Sequence, residues 1–212
     1  MNGFVLAGGQ STRMGRDKAL LELNGRPLAA LAVEKLRALG LDAKICGARP
    51  EVAAELARLG EVIPDNFPQN GPVAGIEAGL AASDSPLSLF LAVDMPLVPM
   101  EFLRWLIERA ETSGAVATIP AAGGWEQPLC AVYSRRLLDG LRAAIAAGHL
   151  KMMTAVTEAA TALAERVDLF QVESVGAGLQ PGEWPQDPPL QEWFVNGNTP
   201  EEFARLVAQA GK

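Results

Sequence analysis

Imidazole and thiol groups are nearly missing from this chain, whose 212 residues include one histidine and two cysteines. His149, in Ala147-Gly148-His149-Leu150-Lys151, follows a predicted helix end, where capping or plain exposure accounts for it, so it is given no catalytic role. Cys46 and Cys130 lie in apolar surroundings without C-x-x-C or Cys/His spacing, which speaks against a disulfide or zinc site and for buried free thiols in a reducing compartment. Positive charge is also short, with 18 Lys and Arg against 25 Asp and Glu and a net charge of −7, which argues against general nucleic-acid binding. No apolar run approaches the roughly eighteen residues that span a bilayer. The first apolar strand begins almost at Met1, leaving no room for a signal peptide. The expectation is a soluble, cytoplasmic protein with neither membrane nor nucleic acid as partner. No composition break or low-complexity linker divides the chain, so residues 1–212 read as one domain.

What is abundant is apolar side chain, 49% of the residues, enough for one substantial core. Strand-like runs recur at Gly3–Ala7, Ala43–Cys46, Glu61–Ile63, Leu87–Val93, Ala115–Ile119 and Leu129–Tyr133. Amphipathic stretches fall between most of them, at Pro27–Leu39, Glu51–Leu59, Pro72–Ala82, Pro99–Glu111 and Arg135–Ala147. This alternation predicts an α/β protein with a Rossmann-like, mostly parallel sheet and helices on both faces. Ligands of such sheets bind beyond the carboxyl ends of the strands, which directs attention to Gly8–Lys18, Asp65 and Asp94, each directly after an apolar strand. Gly176–Pro189 is rich in Gly and Pro and reads as a long loop.

The first of these segments is the most informative. In Leu6-Ala7-Gly8-Gly9-Gln10-Ser11-Thr12-Arg13-Met14-Gly15-Arg16-Asp17-Lys18, paired glycines remove the β-carbons where the chain turns, so backbone N–H groups can approach an anion. Arg13, Arg16 and Lys18 add charge, the arginines as bidentate forks and the lysine as a mobile point charge. The spacing fits neither a Walker A loop nor a G-x-G-x-x-G fingerprint. It suits a polyphosphate, although a glycine-rich surface turn with incidental basic residues stays open on these residues alone.

Asp94, in Val93-Asp94-Met95-Pro96, ends the most apolar strand; it is either a Mg²⁺ ligand, with phosphate and water completing the shell, or the cap of the following turn. Asp65 follows Val62-Ile63-Pro64, and Gly71-Pro72-Val73-Ala74-Gly75 suits a helix entry with or without a nucleotide nearby. Near the C-terminus, Trp193-Phe194-Val195 reads as a short strand and Thr199-Pro200-Glu201-Glu202 as a capping box opening a final helix. The cap does not explain Asn196 and Asn198 flanking Gly197. Trp125 in its Gly123-Gly124 loop is placed where it could touch an acceptor molecule.

The string LAGGQSTRMGRDK resembles the L-A-G-G-x-S-x-R-M-G-x-D-K opening of the molybdenum cofactor guanylyltransferases, and the resemblance extends over almost the whole chain. It implies the nucleotidyltransferase fold shared with enzymes that make nucleotide-diphospho-sugars. It also implies transfer of GMP from GTP to the terminal phosphate of Mo-molybdopterin, with Mg²⁺ as cofactor and pyrophosphate released. By the same resemblance Leu6, Ala7, Gly8, Gly9, Ser11, Arg13, Lys18, Cys46, Asp65, Gly71 and Asp94 bind the nucleotide. Arg13, Lys18 and Asp94 are the catalytic set, Asp94 holding the metal. V-N-x-N-T-P-E-E matches Val195-Asn196-Gly197-Asn198-Thr199-Pro200-Glu201-Glu202 and assigns Asn196 and Asn198, with Gln127, to the acceptor. One departure is Cys46, which stands where the family has an asparagine. It keeps a cytidylyltransferase or another small-molecule nucleotidyltransferase open, and a non-catalytic nucleotide-sensing module is the rival of another class. A molybdoenzyme or a delivery chaperone is a further contact consistent with the resemblance.

Overall fold

In the computed structural model, which describes residues 1–8, 17–180, 183–197 and 202–203, the alternating pattern becomes one mixed sheet with helices packed on it. The strands are β1 Asn2–Leu6, β2 Glu22–Leu23, β3 Arg26–Pro27, β4 Asp42–Cys46, β5 Val62–Ile63, β6 Leu87–Ala92, β7 Ala117–Ala122, β8 Trp125–Glu126, β9 Cys130–Ser134 and β10 Val167–Gln171. The helices are α1 Leu28–Ala38, α2 Pro50–Leu56, α3 Gly71–Ala82, α4 Met100–Ser113, α5 Leu138–Ala146, α6 Met152–Ala162 and α7 Val172–Gly176. The main sheet runs β10-β7-β9-β6-β1-β4-β5, with β8 hydrogen-bonded to β7 and β2–β3 forming a separate hairpin. Pairings β1–β4, β1–β6, β4–β5 and β7–β10 are parallel, while β9 is antiparallel to both β6 and β7.

All five residues of β1 are buried because the strand lies between two others and under helices. Phe4 stacks on Phe90 at 5.0 Å between ring centroids, and Phe90 meets Tyr133 edge-on at 5.8 Å, tying β1, β6 and β9 into one core. On α3, Gly79 leaves the space that Phe90 occupies: a β-carbon there would lie 2.6 Å from the ring. At the opposite edge, Arg109 of α4 donates twice to Asp168 of β10, at 2.7 and 2.9 Å, while its guanidinium covers the Phe170 ring.

The structure differs from the sequence reading in several places. Trp193-Phe194-Val195 is not a strand but the turn after a 3-10 segment at Leu190–Glu192. Its apolar character serves a cluster instead, with Trp193 and Phe194 at 5.4 and 5.7 Å from the Phe102 ring of α4, joined there by Trp184. Strand β10 and helix α6 are additional to the elements that the sequence pattern predicts. In β10, Val167 is half-buried and Leu169 is 47% exposed, so the edge strand lacks the continuous apolar signature of the central ones. Helix α6 is alanine-rich, and Gly140 of α5 accommodates it closely, since a β-carbon there would meet Ala159 at 2.5 Å.

Candidate functional site

The chain leaves β1 outward through β4 and β5 and then returns to the other side of β1 as β6, so the strand order reverses at the β1/β6 boundary. This is the crevice where open α/β sheets take ligands. Along the same rim stand, in spatial order, Asp65 after β5, Gly47 after β4, Gly8 after β1, Asp94 after β6, Gln127 before β9 and the β7–β8 turn carrying Trp125. Hydrogen bonds lock the middle of this row: Ala7 N–H donates to the Cys46 carbonyl at 2.9 Å, Val93 N–H to the Leu6 carbonyl at 3.1 Å, and Ala92 N–H to the Leu129 carbonyl at 2.9 Å.

At the centre, Lys18 Nζ lies 2.7 Å from Asp94 Oδ2, the two side chains only 11% and 18% exposed. They come from segments 76 residues apart. Lys18 is delivered by a 3-10 turn, Lys18–Leu20, which Asp17 caps by accepting the Ala19 N–H through Oδ1 at 2.9 Å. The other Asp17 oxygen receives Arg49 Nε at 2.8 Å, so this buried aspartate pins the end of the first loop to the entry of α2. Nothing in the local sequence around Arg49 signals this pairing.

On the β5 side, Asp65 receives the Gly47 N–H. Burial pushes its pKa above the usual carboxylate value, the Gly47 hydrogen bond pulls it back, and the nearby charge of Glu77 raises it further. Glu77, fully buried on α3, is held by Arg142 Nε at 2.8 Å and Asn66 Nδ2 at 2.9 Å, a network that fixes the residue next to Asp65 and was not legible from spacing. The Cys46 side chain is wholly buried, with burial raising its thiol pKa, so a ligand contact from this residue would go through its backbone. Gly71, at φ +65°, is exposed at the start of α3.

Gly8 and Gly47 cross so closely that a β-carbon on Gly8 would sit 2.6 Å from the Gly47 carbonyl oxygen. Backbone cannot yield as a flexible side chain does. Gly8→Ala is therefore expected to spread the β1 and β4 ends, destabilising the fold by about 1–3 kcal/mol and weakening nucleotide binding. Thermal unfolding and nucleotide titration of this one variant check both; an unchanged Tm would show that the rim has slack.

On the other side of Asp94, Gln127 is half-buried and donates from Nε2 to the Trp125 carbonyl, while Trp125 itself is 75% exposed. Leu6 and Ala7 are buried in and just beyond β1. Gly9, Ser11, Arg13 and Asn198, and the capping box from Thr199 to Glu201, lie outside the described residues.

Among the described residues, three buried side-chain atoms have no hydrogen-bond partner: Asp65 Oδ1, Asp94 Oδ1 and Asn196 Oδ1. All three are acceptors, and all belong to residues that the sequence motifs single out. Desolvated acceptors without donors cost free energy, so each of these atoms marks a place for a partner such as an ordered water, an ion or a ligand donor.

Comparison with known proteins meets this geometry. A model of the MobA-like NTP transferase domain matches residues 3–164. The chain belongs to the MobA-like NTP transferases. It is 34% identical over 209 residues to a probable molybdenum cofactor guanylyltransferase of Thermococcus gammatolerans, an alignment covering 97% of this chain and 98% of the relative. It is equally identical over 208 residues to the molybdenum cofactor guanylyltransferase of Syntrophotalea carbinolica, covering 98% and 91%. Among solved structures, molybdopterin-guanine dinucleotide biosynthesis protein A of Archaeoglobus fulgidus superposes with a TM-score of 0.79 at 28% identity, covering 98% of this chain and 97% of that one. The 2-C-methyl-D-erythritol 4-phosphate cytidylyltransferase of Thermus thermophilus shares the fold, with a TM-score of 0.63 at 18% identity over 100% and 98% of the two chains. The chain thus has the nucleotidyltransferase fold that the family resemblance implies, on the mixed α/β sheet that the alternation of elements predicts.

Proposed function

We propose that this protein transfers GMP from GTP to the terminal phosphate of Mo-molybdopterin, forming molybdopterin guanine dinucleotide. The observation that carries the reading is the set of partnerless acceptors on Asp65, Asp94 and Asn196, in a chain whose relatives are named for this reaction. An acceptor phosphate oxygen attacks the α-phosphorus of GTP, a phosphoanhydride forms, and the bond to the β-phosphate breaks to release pyrophosphate. The nucleophile is already an anion, so no general base is needed and catalysis reduces to alignment and charge neutralisation.

The donor set fits a hard divalent cation. Asp94 presents one carboxylate oxygen toward Lys18 and leaves the other, Oδ1, buried and partnerless. One carboxylate plus triphosphate oxygens and water is the usual arrangement for Mg²⁺ on a nucleotide. Bound there, the ion would offset the charge of the triphosphate and of the departing pyrophosphate. Lys18 holds its ammonium at the same point and meets the β- and γ-phosphates. Gly8 lets the backbone close on the phosphates, and Asp65 faces the nucleoside end of the rim. Gln127 and Asn196 serve the acceptor. Among the described residues no helix is long and apolar enough to cross a membrane.

Asp94→Asn tests the metal assignment. A neutral amide is a poorer ligand for a hard dication, so the variant is expected to keep its fold while the Mg²⁺-dependent part of GTP binding drops by about tenfold or more. Calorimetric titration with and without Mg²⁺ reads this directly. Unchanged magnesium linkage would make Asp94 a turn residue and move the ion elsewhere.

A further inference from the structure

Helix α1 contributes a lysine that the proposed chemistry does not use. Lys35 Nζ donates to the Pro96 carbonyl at 2.9 Å and to the Val98 carbonyl, two and four residues beyond Asp94. Met95 and Val98 point into the core, and Met95 N–H returns to the Ala92 carbonyl at 3.2 Å, so Asp94 stands at the tip of a tight turn. That turn is fastened on one side by β1, through the Val93 to Leu6 hydrogen bond, and on the other by Lys35. We propose that Lys35 is a positioning residue for the metal site: its half-buried side chain clasps the Asp94–Val98 turn and sets the direction of the Asp94 carboxylate.

The energetics favour this over a purely structural role. Lys35 spends its hydrogen bonds on main-chain carbonyls, and burial lowers its pKa to about 8 against the raising fields of Cys130 on β9 and Glu101 on α4. A desolvated cation with neutral partners is an expensive way to hold a turn. What the cation adds is direction: two carbonyls aimed at one ammonium fix the turn in one arrangement. Outer-shell contacts of this kind typically change metal affinity by 10- to 100-fold when removed.

The proposal rests on Asp94 as the metal ligand, and the test separates the two. Lys35→Met, Asp94→Asn and the double variant are titrated with GTP in the presence and absence of Mn²⁺ as a paramagnetic stand-in for Mg²⁺, bound ion being counted by electron paramagnetic resonance. Lys35→Met is expected to fold with a modestly lowered Tm, because the Pro96 and Val98 carbonyls lose their donor, to leave metal-free GTP affinity unchanged, and to weaken Mn²⁺ binding roughly 10-fold or more. In the Asp94→Asn background the same change should have no further effect. Lys35→Gln, which keeps two donors without the charge, should fall between Lys35→Met and the parent. Wild-type Mn²⁺ binding by a folded Lys35→Met protein, or additive losses in the double variant, would overturn the assignment. So would loss of fold in both Lys35 variants, since Lys35 would then be a core requirement. Failure of Asp94→Asn to alter Mn²⁺ binding would instead overturn the metal reading itself.

Discussion

Replacing Lys18 by alanine should lower the rate of nucleotidyl transfer on the order of 10²- to 10³-fold at saturating GTP, the usual cost of removing one donor that serves charge growing in a transition state. The ammonium neutralises Asp94 in the structure, 2.7 Å from Oδ2. In the proposed reaction it stands where the β- and γ-phosphates arrive, and on that reading the α–β bond breaks with negative charge moving toward it. Removing one partner of a largely buried pair also leaves a carboxylate uncompensated. Asp94 is 18% exposed at the rim of the sheet, so solvent screens part of that penalty, and the fold should survive. Single-turnover kinetics set beside thermal unfolding separate the two effects. Lys18→Arg, which keeps the charge but not the geometry, should recover only part of the rate. Full activity in a folded Lys18→Ala protein would remove the first loop from the mechanism.

The larger effect concerns the base. Guanine offers two adjacent donors, N1–H and the exocyclic amine, and a site built around acceptors rejects analogues that leave those acceptors unpaired, by as much as 10⁴- to 10⁵-fold. The rim next to Gly8 and Gly47 is acceptor-rich: Asp65 Oδ1 is buried and without a partner, and the Ala7 and Gly8 carbonyls lie on the far side of Gly47 in the row. The Leu6 and Cys46 carbonyls already accept from Val93 and Ala7, which makes them secondary candidates. GTP should therefore outcompete CTP and ATP by several powers of ten, and outbind ITP, which lacks only the amine, by about tenfold. Competition titrations across the four nucleoside triphosphates and ITP give the answer. Should CTP bind as tightly as GTP and support transfer to molybdopterin, the phosphate chemistry would stand and the product would be the cytosine dinucleotide.

Local pattern carried far in this chain because the central strands are buried on both faces. A strand such as Leu87–Ala92 must be apolar at nearly every position, and that makes it visible without a structure. The same constraint makes the first polar residue after a central strand conspicuous, which is why Asp94 stands out in the sequence alone, whereas Asp65 follows β5, an edge strand with both residues half-buried. Where burial is one-sided the signal faded, as in β10, and where apolar residues met other elements it misled, as in the Trp193–Val195 turn.

The sequence by itself determined the α/β class, the order of the central strands' elements, the glycine-rich cationic loop and the family likeness, since each of these is written in contiguous residues. Only the tertiary structure decided which charges meet. Lys18 finds Asp94 across 76 residues, Asp17 finds Arg49, Glu77 finds Arg142, and Lys35 finds the carbonyls beyond Asp94. No periodicity encodes such pairs, because they arise where the strand order reverses between β1 and β6 and where helices meet over the sheet. The same packing determines which acceptors are left without donors, and that depends on every neighbour that excludes water from them.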